Sequence, residues 1–161
     1  MSVTSDSKNN YNLSVNVKKK SYKDLNNASF LTAIQDMDFK VPDGQFCCLL
    51  GPSGCGKTTL LNILSGLDNN YDGNIQFGDD SSPQDSGIGY MFQEPRLLPW
   101  LTVRQNVEIV TPQTSEDKDL SNSILETMGL SENMESFPSQ LSGGMQRRVA
   151  IARAFINKPK I

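Results

Sequence analysis

One short string constrains this chain more than any other feature. Gly51-Pro52-Ser53-Gly54-Cys55-Gly56-Lys57-Thr58 fits G-x-x-x-x-G-K-S/T at every fixed position. Glycines let successive backbone N–H groups converge without Cβ clashes, which makes a nest for an anion. A helix opening near Lys57 adds its N-terminal partial positive charge at the same point. Lys57 brings a point charge to terminal phosphates, and the Thr58 hydroxyl, followed by Thr59, can ligate Mg²⁺. Cys55 falls at an unconstrained position and reads as a small space-filler, since no base lies near it in sequence. The competing reading is a glycine-rich strand-to-helix turn with a solvated lysine. The flanks argue against it, because an apolar run precedes the loop and an amphipathic segment follows.

That run, Gln45 to Leu50, predicts a strand covered on both faces. After the loop, Leu60, Leu61, Ile63 and Leu64 form a helical stripe that Gly66 closes as a C-cap. Upstream, Leu13, Val15 and Val17 alternate with polar residues, predicting a half-buried strand from Tyr11 to Tyr22 with Lys18-Lys19-Lys20 as its solvated edge. A polar turn, Lys23 to Ser29, leads to a second strand from Ala33 to Val41, stopped by Pro42-Asp43-Gly44. Asn74 to Phe77 and Ile88 to Phe92 read as strands either side of a polar loop from Gly78 to Ser86. Val103 to Val110 and Leu120 to Met128 read as helices. A last helix starts at Gly143 with Met145, Val149, Ala152 and Ile156 on one side. Strand, glycine loop, helix, strand is the grammar of an α/β nucleotide-binding sheet.

Composition removes several other classes. Lys plus Arg is 15 and Asp plus Glu is 18 in 161 residues, a net charge of −3, so no basic field exists to grip nucleic acid. The apolar content of 37% with 20% charged residues is not that of a disordered chain. No apolar stretch is long enough to span a bilayer, and residues 1–10, which read as a disordered leader, lack the apolar region of a secretory signal. With no histidine in the chain, His-containing zinc sites and Ser-His triads are excluded. The three cysteines suggest no disulfide framework, which makes a reducing compartment the default.

A second unusual string is Leu141-Ser142-Gly143-Gly144-Met145-Gln146-Arg147-Arg148. Ser142 is a good N-cap, and the two glycines leave amides bare at a helix mouth, a second anion site. Alone, it could equally be an ordinary capped helix start. Together with the phosphate loop and Tyr90-Met91-Phe92-Gln93-Glu94, in this order, it resembles the ATP-binding subunit of ABC transporters. Gln93 is similar to the family's Q-loop glutamine and Leu141 to Gln146 to its signature motif, with Met145 in place of the commoner glutamine. The stretch from Gln93 through Pro95, Trp100 and Leu101 to Val103 is similar to importer ATPases of the nitrate, sulfonate and taurine group.

The resemblance implies an α/β fold: a P-loop NTPase core of ABC ATPase type with an antiparallel β subdomain and a helical subdomain, truncated at the C-terminus. Residues 11–161 would form a partial ABC ATPase domain, with 11–94 and 142–161 as nucleotide-binding core and 95–141 as helical lobe. It implies ATP and Mg²⁺ as ligands. Gly51, Pro52, Ser53, Gly54, Cys55, Gly56, Lys57, Thr58 and Thr59 would hold the phosphates. Thr58 and Gln93 would serve the metal, and Lys57 and Gln93 the chemistry. An upstream aromatic would stack on adenine, either Tyr22 or Phe30. Ser142, Gly143 and Gly144 would touch the γ-phosphate of a nucleotide on a second ATP-binding subunit packed head to tail. Pro95 to Trp100 would lie near the groove for transmembrane permease subunits, although Trp100 could instead be lobe core. The implied place is cytoplasmic, peripheral on the inner face of the membrane.

One departure stands out. The family continues into a strand ending in a metal-binding Asp, then a general-base Glu, and later a switch His, whereas this chain stops at Lys158-Pro159-Lys160-Ile161. A truncated ATP-binding module without turnover and a soluble, non-transport ABC ATPase are therefore the alternatives to an importer subunit. Losing a positioned base usually removes about 10²–10⁴ in rate. Phosphate release from the purified 161 residues is accordingly expected to match that of a Lys57→Ala control; Lys57-dependent turnover at the family's usual speed would refute this.

Overall fold

The computed structural model describes residues 11–23, 29–78, 87–112 and 114–161. The expected leader 1–10, most of the polar turn before Ser29 and most of the loop after Gly78 lie outside the described residues. The chain divides into two compact units, residues 1–86 and 87–161.

The first unit carries an antiparallel sheet. β1 (Tyr11–Lys23) pairs with β2 (Phe30–Pro42) on one side and β3 (Asp72–Gln76) on the other. The alternation of Leu13, Val15 and Val17 places all three on the buried face. Ile34, Ile75 and Phe77 join them, with Leu60 and Ile63 from α1 (Lys57–Leu64). The helix ends one residue earlier than expected: Ser65, not Gly66, is its C-cap, and Gly66 follows at φ +73°.

The lysine run is not simply a solvated edge. Strict alternation would turn Lys19 inward, but the β1–β3 register slips between Val17 and Lys19. The extra residue moves every later side chain to the other face. Lys20 is thereby only 3% exposed. Its ammonium donates to Asp68 Oδ1 and to the Asn70 carbonyl, both at 2.7 Å. Pairing and hydrogen bonding are the terms on which a lysine can be buried.

Two expected strands are not formed. Gln45 to Leu50 is irregular, with Phe46 95% and Leu50 88% exposed. An apolar run becomes a central strand only when strands flank it and its faces are covered. The sheet among the described residues is complete with β2, β1 and β3. Ile88 to Phe92, in the second unit, is also irregular. Backbone bonds from Lys160 N to Gly87 O at 2.8 Å and from Gly89 N to Ile161 O at 2.7 Å tie its start to residues 160 and 161.

The second unit is helical. α2 (Val103–Glu108) and α3 (Ser115–Thr127) open on capping boxes, Thr102 with Gln105 and Thr114 with Asp117. α4 (Gly143–Phe155) follows two short 3₁₀ turns. Val149, Ala152 and Ile156 meet Val103, Val107, Leu125, Leu130 and Leu141 in one core, with Met145 packed against it, as the periodicity predicts. No helix among the described residues is long and apolar enough to cross a membrane.

Partial burial raises the Asp68 carboxyl pKa, but bonds from Lys20, the Asn70 amide and the Tyr22 hydroxyl, together with the Lys20 charge, outweigh it. The net value lies below the ordinary 3.8. A carboxyl pKa lower in the folded than in the unfolded state contributes stability above the unfolded value, lost as pH falls through the folded one. Urea unfolding of Asp68→Asn is expected to show a loss of about 1–3 kcal/mol at pH 7. That difference should shrink as the pH is taken below 3.8.

Candidate functional site

The phosphate loop runs straight into α1. Gly56 is the N-cap at φ +91°, ψ 3°, and no side chain caps the helix. The first intrahelical bond is Leu60 N to Gly56 O at 2.9 Å. The amides of Lys57, Thr58 and Thr59 thus have no intrahelical acceptor and are available to an anion. Lys57 Nζ donates to the carbonyl oxygens of Gly51 at 2.8 Å and Pro52 at 2.7 Å, and lies 3.4 Å from Cys55 Sγ. The loop therefore folds round its own ammonium. Thr58 is exposed on the first turn, and Thr59 is half-buried.

Gly56 is irreplaceable for two reasons. Its φ disfavours any side chain, and a Cβ would lie 2.5 Å from the Ala33 carbonyl oxygen on β2. Cys55 is exposed, and its Sγ lies so close to Gly51 that a Cβ there would sit 2.6 Å from it.

Tyr22 lies near the end of β1, with its hydroxyl 3.1 Å from Asp68 Oδ2 and the Lys20 ammonium 4.6 Å from its ring centroid. Phe30, the other candidate, is 70% exposed at the start of β2, in register with Lys23.

In the second unit, Ser142 Oγ accepts from Met145 N at 3.2 Å, capping α4. Gly143 and Gly144 are exposed; a Cβ on Gly143 would meet nothing within 4 Å, and one on Gly144 only Ser142 Oγ at 4.0 Å. Gln146 Nε2 donates to the Pro138 carbonyl at 2.9 Å and so ties the mouth of the helix to the preceding turn. Gln93 is exposed on a bend.

Sequence reasoning missed three anchors. Lys20 with Asp68 depends on a bulge that no side-chain pattern announces. Arg153 donates to the carbonyls of Pro95 at 2.8 Å and Arg96 at 3.1 Å. It thereby holds Arg96 at φ +45°, with the Arg96 guanidinium 4.2 Å over the Phe92 ring. Burial pulls the Arg153 guanidinium below its ordinary pKa. Asn106 is fully buried: its amide donates to Leu98, Leu101 and Thr102 carbonyls and accepts from Leu98 N at 2.7 Å. A polar residue between Val103 and Val107 on an apolar stripe was the only available signal. This bracket shapes the turn that carries Trp100, which is 69% exposed and so not lobe core.

The family profile described as ABC transporter matches residues 34–161. The chain belongs to the ABC transporter family. Among similar ABC proteins, the aliphatic sulfonates import ATP-binding protein SsuB of Rhodopseudomonas palustris is 42% identical, over 81% of this chain and 47% of that protein. The SsuB proteins of Bacillus subtilis and Bacillus licheniformis are each 40% identical, over 81% and 92% of this chain and 52% and 58% of their own lengths. The chain therefore spans about half the length of the relatives it matches. A dimeric, post-hydrolysis structure of the ATP-binding cassette MJ0796 bound to ADP and Pi is similar at a TM-score of 0.77 and 30% identity, covering 91% of this chain and 70% of that one. The α/β fold class of an ABC ATPase thus stands, with the antiparallel and helical parts formed.

The glycines of the two ABC motifs should respond oppositely to alanine. Gly56→Ala is expected to destabilise the chain by about 2 kcal/mol or more, from strain and the clash with Ala33. Gly143→Ala should be neutral or stabilise by up to about 1 kcal/mol. Thermal melts of the two variants check this contrast.

Proposed function

We propose that this chain is the nucleotide-binding part of an energy-coupling ATPase subunit of an ABC importer carrying a small anion such as nitrate, a sulfonate or taurine. The observation that carries the reading is the bare helix mouth at Gly143 and Gly144. Open space surrounds both, so packing within this chain does not require glycine there. Glycine that the chain itself does not need suits the close approach of another molecule's phosphate. The similarity to sulfonate import ATP-binding proteins supports the class of cargo.

In this reading the amides and side chains from Gly51 to Thr59 take the phosphates of ATP, and Tyr22 takes the adenine. Phosphate oxygens replace the Gly51 and Pro52 carbonyls as partners of Lys57, which then stabilises charge on the transferring γ-phosphoryl group. Bound Mg²⁺ supplies charge neutralisation at the β- and γ-phosphates. Within the first unit, the Thr58 hydroxyl is the group that would hold it. An exposed hydroxyl at a phosphate cradle fits this ion, which takes few protein ligands beside substrate phosphates. Gln93, exposed on its bend in the second unit, would serve the metal and the attacking water only as the family's pattern implies.

Ser142, Gly143 and Gly144 close over the γ-phosphate of a nucleotide on a second ATP-binding subunit, packed head to tail. Loss of that phosphate on hydrolysis loosens the pair. The segment from Pro95 to Trp100, with Arg96, Pro99 and Trp100 exposed, receives a segment of the transmembrane permease subunits, placing the protein on the cytoplasmic inner face of the membrane as a peripheral subunit. With a net charge of −3, nucleic acid is not a partner.

Titration calorimetry of MgATP against the chain and Lys57→Ala tests the reading. Removing the ammonium, with its charge-assisted bonds, is expected to weaken binding by roughly tenfold or more. Equal affinity in a folded variant overturns it.

A further inference from the structure

The contacts round Tyr22 form a closed set that the phosphate loop does not use. Asp68 Oδ1 accepts from the Lys20 ammonium at 2.7 Å and from the Asn70 amide at 3.1 Å, while its Oδ2 accepts from the Tyr22 hydroxyl at 3.1 Å. The same ammonium stands 4.6 Å from the Tyr22 ring centroid and donates to the Asn70 carbonyl. Asp68 is itself fixed: its amide and that of Leu67 donate to the Asn62 carbonyl on α1, at 3.1 and 2.9 Å. Lys20 and Tyr22 lie two residues apart on β1, beyond the bulge at Lys18 and either side of a register shift against β2 between Lys20 and Ser21.

We infer that Lys20 and Asp68 are positioning residues for the Tyr22 ring, holding it as a preoriented platform on which the base of a purine nucleotide stacks. The inference rests on the assignment of Tyr22 as the base-stacking aromatic and adds the device that makes it one. A tyrosine near the end of a hairpin has two free torsions, and ordering it on binding costs affinity. Here the rim is tied through the hydroxyl and a cation lies against the ring, yet Tyr22 remains 39% exposed, which leaves surface for a base. Phe30 has no hydroxyl with which to make such a tie. The cation–ring contact also draws electron density toward the buried side, which suits an electron-rich purine on the other.

The device acts on the base and not on the phosphates, and that separates it from a merely structural role. Calorimetry with two probes, MgATP and magnesium tripolyphosphate, reads the difference on the 161-residue chain. Tyr22→Phe keeps the ring and loses its tie; Asp68→Asn loses the carboxylate. Both are expected to weaken MgATP by roughly three- to tenfold and to change tripolyphosphate by less than about twofold. Tyr22→Phe leaves the Lys20–Asp68 pair whole, so it carries the test should Asp68→Asn fail to fold. Equal losses for both probes would overturn the inference, as would wild-type affinity for MgATP in Tyr22→Phe while Tyr22→Ala binds it weakly. Unchanged MgATP affinity in Tyr22→Ala would instead remove Tyr22 as the platform, and the inference with it.

Discussion

The approach of Gly56 to the Ala33 carbonyl is the constraint on which the phosphate loop rests. Leu60 and Ile63 of α1 are buried, as are Val15, Val17 and Ile34 of the sheet, and α1 lies against β2. Seating the helix there drives its N-cap against β2, where only a residue without a Cβ fits. The loop's conformation is thus a consequence of the hairpin beneath it. Remove the alternation of β1, and the helix mouth loses the surface that aims it.

The second unit solves a related problem with polar groups. Its apolar core fixes the three helices, but the irregular segments are tied down by side chains. Arg153 grips two carbonyls near the Gln93 bend, Asn106 brackets the turn at Trp100, and Gln146 ties α4 to the Pro138 turn. A carbonyl outside regular structure needs a donor, and supplying one from a packed helix makes a loop as definite as a strand. Such bonds explain how irregular segments can present exposed residues in fixed places.

Both glycine-rich strings stood out in the sequence because anion binding needs particular residues at particular spacings, and helices with apolar stripes were legible because packing needs period. What was not legible depended on partners. Gln45 to Leu50 has the composition of a central strand, but composition cannot supply neighbouring strands. Lys20 reads as a solvated lysine until one residue of slip turns it inward, and the slip belongs to the pairing of β1 with β3, not to either strand alone. Asp68, in a polar stretch after α1, gave no hint of its partners 46 and 48 residues away in sequence.

The Asn106 bracket has an optical corollary. It holds the chain's single indole out in water on a bonded turn, remote in sequence from both glycine-rich strings. The emission of this one fluorophore therefore reports on what touches that turn and on little else. Blue-shifted light would register a protein surface closing over it, giving a docking signal that needs no label.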